Sequence, residues 1–303
     1  MSQNKGPMHY IDTYRELLVY KPKTNRDRLR NMGLNILATG FDMRYSFERF
    51  FRIPRVQFLY IHHVFSDEQK RLDELLRRLS RDHTLISYSD AVQKILQGGI
   101  DRPYIAISSD DGLKNNLRAA EVLDNYGVSG CFFICPSIVG EQDFNKVREF
   151  SAARLHFPPV EFLTWQEVAD LQQRGHEIGA HTLSHINIAR SPKEEVEKEI
   201  AGCYDILETR CGEVRHFAYP YGRFTDFSMQ GRELVFEKGF LSCASAQRGC
   251  HITRPGETIS HQDLLIRRDH VILDWPLRHI LYFIANSAAR AAVENNYFTE
   301  LCA

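Results

Sequence analysis

Long uncharged apolar runs are missing from this chain of 303 residues. No stretch reaches the roughly 18 apolar residues that a membrane-spanning helix requires. The most apolar late stretch, 280–292, is broken by Asn286 and Arg290. The polar stretch 1–25 contains no apolar h-region and does not read as a secretory signal. The expectation is a cytoplasmic protein with no membrane span. Net charge is missing too: 38 Lys and Arg stand against 39 Asp and Glu, a formal −1. No global field therefore favours nucleic acid or an anionic membrane, although a local basic patch is still allowed. The seven cysteines lack a pattern, being odd in number, irregularly spaced and without a C-x-x-C pair. Cys131 and Cys135 flank Phe132-Phe133-Ile134 and read as small buried hydrophobes rather than metal or redox groups. Internal repeats and low-complexity tracts are absent as well.

What is present is an ordinary globular composition, 43% hydrophobic and 25% charged, in a chain long enough to bury a core without staples. Residues 1–54 read as a mixed, charged lead-in with short helical patches such as 10–20. From residue 56 onward strands and helices alternate. The β-rich runs 56–61, 104–108, 130–134, 177–180, 216–219, 240–244 and 270–273 read as strands. Helical spacing covers 66–81, where Leu72, Leu75, Leu76 and Leu79 share a face, and 89–96, 113–126 and 165–174, the last capped by Thr164. The clearest helix is 192–211, with Ser191 as N-cap, Pro192 at the first position and Glu194 completing a capping box. A last helix is expected over 277–293, and 140–162 as an irregular surface excursion. Such alternation argues for α/β with a largely parallel sheet, open or closed into a barrel. In these folds chemistry lies at the carboxyl ends of strands.

Polar clusters follow several of those strands. Asp110-Asp111 ends one strand ahead of Gly112. Adjacent side chains on an extended chain point opposite ways, so one carboxylate can hold a metal while its neighbour acts as a base. The competing reading is a helix N-cap beside a solvated neighbour. His181 and His185 are four apart, and on one helical turn two such imidazoles reach a single ion. Two His and one carboxylate form a facial ligand set with open positions. Phe217-Ala218-Tyr219-Pro220-Tyr221-Gly222 is an aromatic strand ending in a tight turn. It is either a turn with packed rings or a groove wall whose amide binds an oxyanion.

Taken in order, Ser108-Ser109-Asp110-Asp111-Gly112, His181-x-x-x-His185 and Ala218-Tyr219-Pro220-Tyr221-Gly222 resemble the first three motifs of the polysaccharide deacetylase (NodB homology) superfamily, over about residues 56–275. The resemblance implies a distorted, incomplete (β/α) barrel. It implies a divalent metal, zinc first and cobalt, manganese, iron or nickel after it, on Asp111, His181 and His185. It also implies Asp110 as catalytic base and the amide of Tyr221 as oxyanion donor. The usual third motif carries an arginine where Ala218 stands. Arg268 resembles the arginine that orients the base in a variant branch with the same Tyr-Pro-Tyr-Gly turn. Arg267 is the fallback, and both are otherwise surface charges. The acid histidine of that branch comes from an N-terminal strand, which points to His62 in Leu59-Tyr60-Ile61-His62-His63. His63 is second, and His279, in the string Leu277-Arg278-His279, third.

The domain reading is an N-terminal extension, 1–54, packed on a catalytic domain, 55–303, that ends in a helix. The expected activity is metal-dependent removal of the N-acetyl group of an amino sugar. The substrate would be a nucleotide- or lipid-linked glycan precursor for a surface polysaccharide. No nucleic-acid partner is expected. The rival readings are hydrolysis of a non-sugar amide or N-formyl group on the same scaffold, and a catalytically silent glycan-binding protein.

Overall fold

The computed structural model describes residues 7–252 and 259–291. Nine strands form one sheet: β1 Arg55–Ile61, β2 Thr84–Leu85, β3 Pro103–Ser109, β4 Cys131–Ile134, β5 Glu177–Ala180, β6 His216–Ala218, β7 Ser242–Ala244, β8 Leu265–Ile266 and β9 Arg268–His270. Their order is β8-β7-β6-β5-β4-β3-β1-β9, with β2 on β3, and the pairs are parallel. The two ends of that order, β8 and β9, are separated in sequence by Arg267 alone. One stretch of chain therefore pairs with β7 on one side and β1 on the other, which nearly closes the sheet into a barrel.

The strands alternate between two apolar environments. Phe58, Ala106, Phe133, Ala218, Ala244 and Ile266 pack with one another inside the barrel. Their neighbours Leu59, Ile105, Phe132, Phe217, Cys243 and Leu265 join the larger core under the helices. Strands buried on both faces are near-continuous hydrophobic runs, which is how these appear in the sequence. Phe133 crosses the interior so closely that a Cβ on Gly179 of β5 would sit 2.4 Å from its ring, so that position requires glycine.

Several elements depart from expectation. The lead-in contains a 21-residue helix, Asn25–Tyr45, begun by a Thr24–Asp27 capping box. It packs, with Phe47–Phe51, against helix Leu277–Arg290. Residues 292 and 293, expected in that last helix, lie outside the described residues. The excursion 140–162 is not wholly irregular: Asp143 caps a helix, Phe144–Phe150, that buries Val147 and runs into a wide turn, Ser151–Leu155. Helix Lys193–Cys211 takes Pro192 itself as N-cap, so the expected Ser191–Glu194 box does not form. Leu113 bridges to Phe162, and one tight turn, Lys114–Asn116, precedes helix Leu117–Asn125. The final strand lies at Arg268–His270 and not 270–273, because it pairs with Phe58 to Tyr60 and β1 ends one residue later. Among the described residues no helix is long and apolar enough to cross a membrane.

Candidate active site

Every barrel strand runs in one direction, so the segments after β1, β3, β5, β6 and β9 meet at one rim. Asp111, His181 and His185 converge there, with one ligand atom of each within 4.8 Å of the others, and all three are buried. Asp111 Oδ1 lies 3.4 Å from His181 Nε2 and 3.3 Å from His185 Nε2. The His181 ring is oriented from behind, with Nδ1 2.7 Å from the carbonyl oxygen of Ala218. A carbonyl only accepts, so Nδ1 carries the proton and Nε2 of the neutral ring turns a lone pair toward a carboxylate oxygen. Two acceptors face each other at this point, and Asp111 Oδ1 has no hydrogen-bond donor. A cation resolves that arrangement, and a carbonyl behind the ring is the usual device for orienting a histidine ligand. Supplied only with protons, the site answers unevenly. Burial pulls His181 down, but Asp111 and Asp110 outweigh it and raise its pKa. Burial keeps His185 low despite Asp111.

The ligand turn is not the helical turn that the spacing suggested. Residues 181–187 contain no helix, and Thr182 and His185 have φ of 60° and 58°. Six non-glycine residues have positive φ among the described residues. Asp111, Thr182, His185 and Tyr221 belong to this site, and His156 lines the cavity above it. Strained backbone of this kind persists only where its surroundings hold it. Glu199, from helix Lys193–Cys211, holds the His turn, accepting from the backbone N and Oγ of Ser184 at 2.7 and 2.5 Å. Sequence reasoning missed Glu199. The signal was an acid inside the apolar stripe formed by Val196, Ile200, Cys203 and Leu207.

Asp110 points the other way: both residues lie past the end of β3, and Asp111 turns off at φ 75°. Arg268 donates through Nη1 and Nη2 to its two carboxylate oxygens at 2.7 and 2.9 Å, and through Nε to the carbonyl of Ser245 at 2.8 Å. Both side chains are buried. Burial pushes the Asp110 carboxyl up, and the charge and hydrogen bonds of Arg268 together with the nearby His181 and His62 more than offset it, leaving the pKa below the ordinary carboxylate value. Arg267, the fallback, instead donates to the carbonyl of Arg248 and lies over the Phe224 ring.

Above this floor is a cavity of about 430 Å³ that takes in His62, His63, Asp111, His185, Tyr221 and His270. His62 Nδ1 lies 3.2 Å from His270 Nε2, and His270 stacks on Tyr60. His63 stacks between Phe65 and Phe157, and burial pulls its pKa down to about 3. His279 does not join them. It lies in helix Leu277–Arg290 with Nε2 2.7 Å from Asn35 Oδ1, on the side packed against the N-terminal helices. His270 was missed as a site residue, although it shares a strand face with Arg268 two residues earlier, a period-2 relation that the sequence contains. Tyr221 sits at φ 64°, followed by Gly222 at φ 71°, where a Cβ would meet Ala246 at 2.2 Å.

In fold, the nearly closed parallel barrel is of the NodB-homology type. Residues 97–234 match the family described as polysaccharide deacetylase. A chitooligosaccharide deacetylase of Azorhizobium caulinodans is 45% identical over 56 residues, 18% of this chain and 27% of that protein. One of Sinorhizobium fredii is 22% identical over 142 residues, 45% of this chain and 55% of that protein. The chain thus spans about a quarter and about half of the length of these curated relatives. In fold it is similar to IcaB from Ammonifex degensii, with TM-score 0.60 and 17% identity over 77% of this chain and 98% of the other. It is also similar to a de-N-acetylase from Aggregatibacter actinomycetemcomitans, with TM-score 0.58 and 15% identity over 76% and 99%. Over residues 97–234, a little under half of its length, the chain is thus similar to the polysaccharide deacetylase family.

Proposed function

We propose that this chain hydrolyses the N-acetyl group of an amino sugar, with a divalent metal held by Asp111, His181 and His185. The observation that carries the reading is the meeting of acceptors at Asp111 Oδ1, with the His181 ring committed by its Nδ1 to Ala218. A divalent cation there, zinc first for this donor set, would lower the pKa of a water and polarise the amide carbonyl. Asp110 accepts the water's proton, with Arg268 fixing its plane and keeping it ionised. His62 delivers a proton to the leaving amine, its ring oriented by His270. The Tyr221 amide donates to the developing oxyanion from a tight turn at φ 64°. The similarity to chitooligosaccharide deacetylases supports an N-acetylated amino sugar, and a nucleotide- or lipid-linked glycan precursor is the proposed form.

Metal content and product identity test this. The purified chain is expected to hold one divalent metal, and His181→Ala with His185→Ala to lose it while far-UV circular dichroism is retained. Undiminished metal in that double variant would place the site elsewhere. Acetate is expected from nucleotide- or lipid-linked N-acetyl sugars. Formate without acetate would favour the N-formyl reading instead.

A further inference from the structure

The helix Asn25–Tyr45 is apolar on two opposite sides. Its inner side buries Leu34 and Ala38 and sets Phe41 against Tyr282 of the last helix. Its outer side carries Leu29, Met32, Ile36 and Met43, which are between 59% and 83% exposed. With the half-buried Thr39 between Ile36 and Met43, these positions step by three and four residues and form one stripe along the helix. Nothing among the described residues covers it. Scattered exposed hydrophobes need no explanation, but four aligned along one helix face do.

The charges around the stripe indicate what covers it. At 100° per residue Arg28 falls on one flank and Arg26 and Arg44 on the other. Of the two acids of the helix, Asp27 lies on the opposite side and joins the Thr24 cap, and Asp42, on the Arg28 flank, is paired with Arg278. The wider segment agrees: residues 1–54 contain ten Lys and Arg against five Asp and Glu, a net +5 in a chain whose total is −1. A second copy meeting this face about a two-fold axis would set arginines against arginines. An anionic bilayer complements them, and an apolar row flanked by cationic side chains is the pattern of a helix lying in the lipid interface. We infer that the outer face of helix Asn25–Tyr45 docks this protein on an anionic lipid surface. The inference stands apart from the deacetylase reading, since none of the site residues enters it.

Vesicle co-sedimentation of the full chain tests it. Binding is expected to vesicles of phosphatidylcholine with about one-third phosphatidylglycerol and not to phosphatidylcholine alone. Met32→Gln with Ile36→Gln and Met43→Gln should weaken binding about tenfold or more. Arg26→Gln with Arg28→Gln and Arg44→Gln should weaken it by about fivefold per arginine and flatten its salt dependence. Both triple variants should keep the wild-type melting curve. Wild-type protein left in the supernatant with anionic vesicles would overturn the inference, as would a stripe variant that pellets unchanged. A dimer in sedimentation velocity that ignores vesicles and becomes monomeric in the stripe variant would assign the face to a second copy.

Discussion

The two ends of the barrel use the same residue types to opposite effect. At the amino-terminal end Ser89, Glu177, His216 and Ser242 form a closed network. Ser89 donates from N and Oγ to Glu177 at 3.1 and 2.5 Å, and its Oγ lies 2.8 Å from His216 Nε2. His216 Nδ1 meets Ser242 Oγ at 2.9 Å. None of these side chains has a buried polar atom without a partner, whereas the carboxyl-terminal end leaves Asp111 Oδ1, His185 Nδ1 and Thr182 Oγ1 unpartnered. A serine, a histidine and a carboxylate are thus no sign of chemistry in themselves. Donors matched to acceptors make a brace, and acceptors turned on one another make a seat for a cation.

Matched substitutions at the two ends test that contrast most strongly. Asp110→Asn is expected to keep bound metal and lower acetate release about 10²–10⁴-fold, while Glu177→Gln leaves turnover within about threefold and lowers the melting temperature. Comparable losses of turnover from both would end the distinction. Arg268→Met should come next, costing about 3–5 kcal/mol of stability because it strands a buried carboxylate. Adding Asp110→Asn to it should recover part of that loss, and a purely additive double variant would show that the pair is not coupled. The smallest effect concerns pH. Burial and the Arg55 charge hold His83 at about 3, and burial and Arg267 hold His251 there too. Both are depressed from the ordinary histidine value near 6.5, so their contribution is full above that value and is lost as pH falls toward 3. Unfolding free energies from urea titrations should drop between pH 6.5 and 4.5 by up to about 1.4 kcal/mol per pH unit for each histidine. A flat profile there would show that these rings titrate normally.

Much of this barrel is legible in the sequence because its strands are buried on both faces. Runs such as Tyr104 to Ser108 and Cys131 to Ile134 carry no charged interruption. Asp110 and Asp111 are legible because two carboxylates follow a strand end ahead of Gly112, although their divergence comes from the left-handed Asp111 and not from strand alternation. What stayed hidden depends on distance in sequence or on local strain. Glu199 and His270 act on residues that no local pattern ties to them. The left-handed turn at Thr182 and His185 has no glycine to announce it. The 25–45 helix was obscured for another reason: with apolar residues on both sides, it lacks the one-sided periodicity by which helices are recognised.

Barrel closure has a consequence for the order of synthesis. The arginine that pairs with Asp110 lies 158 residues further along the chain, on the stretch that joins β7 to β1. A nascent chain has already made both carboxylates and both imidazoles long before that stretch leaves the ribosome. Until it docks, Asp110 is an unpaired charge in an unfinished wall, and the interior remains open to water. Translation thus leaves Asp110 without its partner until β9 is made, and a chain cut short before Arg268 would lack the stretch that closes the barrel.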